Sequence, residues 1–134
     1  MTPHLYRVIV PVRDVDAAAR FYGAIFGDPG RRISPGRHYF NCGGTILACL
    51  DPARDGEEVQ FRPNPEWFYF AVEDIEATYA TVKQAGATPA GDVHGGAGFE
   101  IVKRPWGERS FYAYDPFGNP ICFVDRTTIF TGED

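Results

Sequence analysis

Few residues in this chain have the type and spacing that covalent or metal chemistry requires. The three cysteines are Cys42, Cys49 and Cys122, an odd number with no CxxC pair among them. Cys42 and Cys49 stand seven residues apart, which is a poor spacing for a zinc knuckle. No histidine neighbours Cys49 or Cys122 in sequence, and buried structural thiols are commoner than reactive ones. We therefore expect three reduced cysteines in a cytoplasmic protein.

The histidines and glycines give little support to a catalytic or phosphate-binding site. His4, His38 and His94 are far apart in the chain, and each is interpreted as a surface or cleft-edge imidazole. His94 lies in the segment Gly91–Gly98, which holds four glycines and is expected to be a mobile loop. This segment is not a phosphate loop, because neither a Lys-Ser/Thr pair nor a helix follows it.

The composition excludes several classes of protein. The chain has 134 residues, a net charge of −5 and 15% aromatic residues. Nucleic-acid binding needs a basic face, so the acidic balance argues against a nucleic-acid partner. No apolar run approaches the roughly 18 residues of a membrane span, and Met1–Val12 lacks the pattern of a signal peptide. We expect a cytoplasmic protein with no membrane partner, whose aromatic residues line a ligand cleft.

Two amphipathic helices recur sixty residues apart, with N-caps at Asp14 and Asp74. Each follows a short apolar strand and is closed by a glycine. The predicted strands are Leu5–Val12 and Trp67–Val72, and the closing glycines are Gly27 and Gly86.

Short strands and turns follow each predicted helix. Strands are expected at about Arg31–Ser34, Arg37–Asn41 and Thr45–Leu50 in the first half, and at Ser110–Tyr114 and Ile121–Asp125 around a Pro-then-Gly turn in the second. The order βαβββ therefore occurs twice, which predicts an α+β protein. Module 1 spans about residues 4–56, a charged, proline-bearing linker spans about 57–65, and module 2 spans about 66–126.

Three segments carry a resemblance to a known family. VRDVDAAARFYGAIFG resembles the first-helix signature of the vicinal-oxygen-chelate (glyoxalase/bleomycin-resistance/dioxygenase) superfamily, VEDIEATYATVKQAG resembles its second-module counterpart, and PWGERSFYAYDPFGNPICFVD resembles its closing hairpin. The resemblance implies a single domain over residues 1–134, in which two βαβββ modules in tandem form a curved, cup-shaped mixed sheet. It also implies a homodimer, since family members commonly complete their clefts between two chains. Members differ in activity, so the fold alone does not fix the function.

The positions at which family enzymes hold a divalent metal carry unsuitable side chains here. The resemblance places those positions at Arg7, Ala48, Trp67 and Cys122. Arginine is cationic and repels a metal, alanine and tryptophan offer no useful lone pair, and one thiolate makes no site for an oxygen-preferring ion. We therefore expect neither a metal nor another cofactor. One alternative stays open, a shifted metal site that draws on His4, His38, His94 and Glu100.

The same four positions point into the cleft that the resemblance implies. Arg7 is a candidate anchor for an anionic or carbonyl-bearing ligand, although a carboxylate within the protein could pair with it instead. Trp67 and Tyr69 share one side of a strand, and their flat surfaces suit a planar ligand as well as core packing. The candidate ligand-binding residues are Arg7, Ala48, Trp67, Tyr69, Trp106 and Cys122.

The sequence thus favours metal-independent binding of a small aromatic, carbonyl-bearing or anionic molecule in an aromatic cleft, of which antibiotic sequestration is one form. A second hypothesis is a metal-dependent lyase, isomerase or dioxygenase of the same superfamily with a non-standard metal site. A third is a non-catalytic interaction module whose cleft is filled by its own side chains. Stoichiometric metal binding would favour the second, and the lack of a connected cavity would favour the third.

Overall fold

The computed structural model describes residues 1–133, and the chain divides into two compact units, Met1–Asn64 and Pro65–Asp134. Each unit contains one long helix and one mixed sheet, and neither sheet closes into a barrel. Residues 57–65, the predicted linker, form neither helix nor strand. Within the described part of the chain, neither helix has the length and apolar character that a membrane span requires.

The first unit has the predicted βαβββ order. Its elements are β1 Arg7–Pro11, α1 Val15–Phe26, β2 Arg31–Ser34, β3 Arg37–Cys42, β4 Thr45–Leu50 and a short 3-10 helix, Pro52–Asp55. The sheet runs in the order β1-β4-β3-β2, with β1 and β4 parallel and the other neighbours antiparallel. A parallel pair needs a crossover connection, and here that connection includes α1, β2 and β3.

Helix α1 begins and ends where the sequence predicts. The Asp14 carboxylate accepts hydrogen bonds from the backbone N–H groups of Asp16 and Ala17, which satisfies two free donors of the first turn. Gly27 has a φ of 64°, a left-handed conformation that glycine adopts at little cost. The buried residues of α1 are Val15, Ala18, Phe21 and Tyr22, so Phe21 extends the predicted apolar face.

The second unit repeats the order with one change at its edge. Its elements are β5 Phe68–Val72, α2 Ile75–Gln84, β6 Thr88–Pro89, β7 Val102–Lys103, β8 Arg109–Tyr114, β9 Pro120–Asp125 and a 3-10 helix, Arg126–Thr128. The sheet runs in the order β5-β9-β8-β6, with β5 and β9 parallel, and β7 also pairs with β8. The two short strands β6 and β7 thus occupy the edge of β8 that corresponds to the edge of β3 occupied by β2 in the first unit. The glycine-rich segment lies between β6 and β7 in the chain.

The β8–β9 hairpin is held by a buried aspartate in its turn. The Asp115 Oδ1 atom accepts the backbone N–H groups of Phe117 and Asn119 at 2.8 and 2.9 Å, and Oδ2 accepts the Asn119 side-chain amide at 2.8 Å. Because a buried carboxylate is costly unless it is hydrogen-bonded, these contacts make the Asp-Pro-x-Gly-Asn sequence a stable turn.

The element order and the two mixed sheets confirm the predicted α+β class with two βαβββ modules.

Candidate functional site

The two faces of the second sheet have different roles. Phe111 of β8 and Phe123 of β9 stack at 5.2 Å between ring centroids, and Phe111 also contacts Tyr79 of α2. Side chains alternate along a strand, so the neighbours Tyr112 and Cys122 lie on the face away from α2. The strand register places Tyr69, Cys122 and Tyr112 side by side across β5, β9 and β8. This face away from α2 is the candidate site.

An aromatic cluster surrounds Tyr112 on that face. Trp67 meets the Tyr112 ring edge-on at 4.8 Å and the Tyr114 ring at 5.3 Å between centroids. Tyr69 lies 6.2 Å from Tyr112 and keeps 54% of its surface exposed. His94 approaches the other side of Tyr112, at 5.8 Å. Aromatic pairs in such edge-on geometry add packing energy beyond burial and form rigid, flat walls.

The glycine-rich segment brings His94 to this cluster through a tight turn. Val93 and Gly96 exchange backbone hydrogen bonds of 2.8 and 3.0 Å, and the two residues between them, His94 and Gly95, have φ angles of 52° and 78°. Positive φ at both central positions is the requirement of a type I′ hairpin turn. The turn places the His94 ring edge-on against Trp106, 4.7 Å between centroids.

An open depression of about 510 Å³ lies over this part of the face. Its lining residues are Tyr69, His94, Trp106, Glu108 and Phe130. Glu108 fixes two of the walls, because one carboxylate oxygen accepts the Trp106 indole N–H at 2.7 Å and the other accepts the Phe130 backbone N–H at 2.8 Å. With both oxygens occupied, this carboxylate acts as a structural anchor for the closing segment of the chain.

The buried polar groups beneath the depression are a phenol and a thiol. The Tyr112 hydroxyl is fully buried, and the Tyr69 hydroxyl and the Cys122 thiol are near it. Among residues 1–133, however, it makes no hydrogen bond of acceptable geometry. Burial raises the pKa of Tyr112, and the nearby Cys122 and Tyr69 side chains raise this pKa further. Burial also raises the pKa of the Cys122 thiol to about 12, so this thiol is protonated at physiological pH. A protonated, fully buried thiol is a poor nucleophile.

A buried arginine ties the glycine-rich segment to the sheet. Arg104 is only 3% exposed, and its guanidinium donates to the carbonyl oxygens of Ala97, Gly98 and Glu100 and to both oxygens of Ser110. The same guanidinium lies over the Tyr112 ring, 5.0 Å from its centroid. A cation above an aromatic face is stabilised by the ring quadrupole, which accounts for an arginine that forms no ion pair in the described chain.

The first unit carries the other two predicted site residues, Arg7 and Ala48. Arg7 is exposed at the start of β1, and its guanidinium contacts the hydroxyl groups of Tyr6 and Tyr39. Ala48 stands between Ile9 and Tyr39 in the sheet and is completely buried. Arg7 is thus accessible to a ligand in this unit, whereas the methyl group of Ala48 is covered by its neighbours.

The donor groups present do not fit the divalent metal of the family enzymes. The corresponding positions hold a guanidinium, a buried methyl group, an indole and a protonated thiol. Over residues 1–133, no three His, Cys, Asp or Glu side chains group together as a metal site would require. His38 is bound to the Pro29 carbonyl oxygen at 2.8 Å, and His4 contacts the Gly44 carbonyl oxygen at 3.0 Å.

The second unit thus brings together Trp67, Tyr69, Trp106 and Cys122, four of the six residues selected from the sequence. Glu108 and Phe130 were missed. Glu108 follows Trp-Gly in a turn and has the character of a surface residue in sequence, while Phe130 lies beyond the predicted end of module 2. Only the indole-to-carboxylate and backbone-to-carboxylate hydrogen bonds reveal their role.

A second depression, of about 640 Å³, lies in the first unit, where the ends of β1 and β4 meet residues 59–62. Its lining is mostly apolar. Two of the lining side chains contact each other, since the Arg13 guanidinium lies over the Phe61 ring, 4.6 Å from its centroid.

Two βαβββ units, each with a parallel outer strand, give the chain a mixed α+β fold with two helices and two mixed sheets. The chain belongs to the Glyoxalase/Bleomycin resistance protein/Dioxygenase superfamily, whose pattern it matches over residues 4–123. No curated protein matches the chain in sequence.

Solved structures of similar proteins show the same fold. A glyoxalase-related enzyme from Fulvimarina pelagi is 20% identical with a TM-score of 0.74, over 99% of this chain and 95% of that one. The oxidase ChaP-H2 is 27% identical with a TM-score of 0.67, over 94% and 95% of the two chains. The lactoylglutathione lyase from Agrobacterium tumefaciens is 21% identical with a TM-score of 0.66, over 92% and 94%.

Proposed function

We propose that this protein binds a small planar molecule, without a metal, on the aromatic face of its second unit. The observation that carries the proposal is the Tyr112 hydroxyl, which is buried and unpartnered beneath a depression walled by Tyr69, Trp106 and His94. A buried hydroxyl without a partner costs about 1–3 kcal/mol, which a ligand acceptor would recover. The half-exposed Tyr69 side chain lies next to this hydroxyl, and its rotation would open the path.

The chemistry of the walls defines the ligand class. Tyr69, Trp106, His94 and Phe130 offer flat, largely apolar surfaces, which suit an aromatic ring. The phenol of Tyr112 can donate to a carbonyl oxygen of that ligand. The protonated Cys122 thiol offers no nucleophile, so the proposed function is binding, as in the sequestration of an aromatic antibiotic. The proposal includes a cytoplasmic homodimer, the commonest closed assembly.

Intrinsic fluorescence tests the proposal directly, because both tryptophans of the chain, Trp67 and Trp106, lie on this face. A panel of planar aromatic compounds bearing carbonyl groups is titrated in the presence of EDTA. We expect at least one compound to change the emission saturably, with the Trp67→Phe and Trp106→Phe variants assigning the signal. Tyr112→Phe should lower the affinity for that compound about 2- to 10-fold, which corresponds to the loss of one hydrogen bond.

Tyr79→Phe is the matched control, because it removes the same hydroxyl group from the opposite, α2-facing side of the sheet. Its affinity for the compound should equal that of the wild type. If saturable binding occurs only after a divalent metal is added, the proposal is wrong and a metal-dependent lyase, isomerase or dioxygenase becomes the better account. If no compound binds, the third hypothesis of an interaction module is favoured.

A further inference from the structure

Two arginines of the first unit converge on one tyrosine. The Tyr39 hydroxyl oxygen accepts from Arg37 Nη1 at 3.0 Å and lies 3.5 Å from Arg7 Nη1. Arg31 pairs with Tyr39 in the strand register on the neighbouring β2. The Arg7 guanidinium also lies over the rings of Tyr6 and Tyr39, 5.1 and 5.9 Å from the centroids. Guanidinium groups so gathered repel one another unless an anion is present.

Within the described residues 1–133, no carboxylate forms an ion pair with this cluster. Arg7, Arg31 and Arg37 take part in none of the ion pairs formed within residues 1–133. Aspartates of the same unit are engaged elsewhere. Asp16 pairs with Arg32 and Arg54, Asp14 caps α1, and Asp55 accepts from Ser34 Oγ and the Gly36 backbone N–H.

The cluster lies on the sheet face that α1 leaves uncovered. His38 and Phe40, the neighbours of Tyr39 on β3, are buried, and Phe40 contacts Tyr22 and Phe26 of α1. Alternation along the strand therefore directs Tyr39 and Arg37 to the other face. Because the Tyr39 oxygen accepts from the guanidinium groups, its own hydrogen is free to be donated to a further acceptor.

We propose that Arg7, Arg37 and the Tyr39 hydroxyl form a binding site for a small oxyanion, a carboxylate or a phosphate monoester. The two guanidiniums supply charge-assisted N–H donors in planar forks, and the phenol supplies an O–H donor between them. The net charge of −5 opposes an extended polyanion and favours a small ligand, since only a local cluster is cationic. All the residues of this site belong to the first unit.

The test is an NMR titration of the whole chain with benzoate and, separately, with inorganic phosphate, following the Nε–Hε signals of the arginines at low ionic strength. We expect saturable shifts of the Arg7 and Arg37 signals with at least one anion. Arg7→Gln and Arg37→Gln should each weaken binding about tenfold, and Tyr39→Phe about threefold. Preference for benzoate identifies a carboxylate ligand, and preference for phosphate a phosphate ester.

Arg20→Gln is the matched control, because it removes the same charge from an exposed position on α1, on the other side of the sheet. Its affinity should stay within twofold of the wild-type value. If Arg37→Gln fails to fold, Arg37→Lys, which retains the charge, takes its place in the titration. The proposal is overturned if neither anion shifts the arginine signals saturably, or if Arg20→Gln weakens anion binding as much as Arg37→Gln does. It is also overturned if the protein binds duplex DNA in preference to both anions.

Discussion

At the scale of single residues, the molecule is distinguished by polar groups whose protein partners are missing. Within residues 1–133, Tyr112 buries a hydroxyl that no other group satisfies. Natural proteins satisfy nearly all buried polar atoms, so this hydroxyl calls for an explanation. The exposed Arg7 and the half-buried Arg37 meet a phenol where an ion pair would need a carboxylate. We propose ligand recognition as the explanation of both features, one in each unit.

The stability of a tyrosine variant tests whether the Tyr112 hydroxyl lacks a partner within the protein. Tyr112→Phe removes a buried hydroxyl that makes no hydrogen bond, so we expect the free energy of unfolding to rise by about 1 kcal/mol. Tyr79→Phe, in contrast, removes a hydroxyl that donates to the Phe99 carbonyl oxygen at 2.7 Å, and should lower this free energy by about 1 kcal/mol. Urea unfolding of both variants gives the measurement. Equal losses in the two would show that the Tyr112 hydroxyl is satisfied within the protein.

At the scale of elements, the segment Gly91–Gly98 is the part of the fold that the sequence describes least well. Its four glycines predict a loop, but the β-turn that places His94 against Trp106 depends on long-range contacts. The Arg104 guanidinium holds three carbonyl oxygens of residues 97–100, and the Tyr112 backbone N–H holds the Gly98 oxygen at 2.8 Å. Contacts of this kind keep the segment over the sheet.

One glycine of that segment admits no side chain. A Cβ atom at Gly98 would overlap the Gly91 carbonyl oxygen, whereas a Cβ atom at Gly91 would meet nothing within 4 Å. We expect Gly98→Ala to displace the segment, to move His94 off the Trp106 ring and so to alter the fluorescence emission, with a loss of ligand affinity. Gly91→Ala, the control, should retain the wild-type spectrum and affinity. An unchanged spectrum in both variants would contradict the proposed packing.

Local signals explain which elements were predictable. Caps, periodic apolar residues and turn sequences lie within a few positions of each other, so both helices and the strands from Arg31–Ser34 to Thr45–Leu50 could be placed closely from sequence. The two short strands β6 and β7 were not separately predicted, because each has only two residues and depends on pairing with β8.

The candidate site was only partly predictable for the same reason. The resemblance selected Trp67, Trp106 and Cys122 by position, and alternation along the strand put Tyr69 on the same side as Trp67. Neither source indicates that the Glu108 carboxylate anchors Phe130, since the two residues are 22 positions apart. Nor does either source indicate that Arg37 meets the Tyr39 hydroxyl.

At the scale of the whole molecule, the chain has the fold of its superfamily, but the side chains at the four predicted metal positions are poor metal ligands. Fold and function are separable in such families, since one architecture supports many sites. Here the four positions carry a guanidinium, a buried methyl group, an indole and a thiol whose pKa is raised to about 12. We therefore propose binding by aromatic walls and cationic groups, without a metal.

Calorimetric titration of chelator-treated protein with Zn²⁺, Mn²⁺, Ni²⁺ and Fe²⁺ tests this claim most directly. The account predicts no stoichiometric binding of any of the four ions, because no suitable donors gather within residues 1–133. Binding of one ion per chain with a dissociation constant near or below about 1 μM would contradict it, since that affinity corresponds to about 8 kcal/mol and requires an organised set of ligands. A metal-dependent reaction of the superfamily would then be the better explanation of this protein.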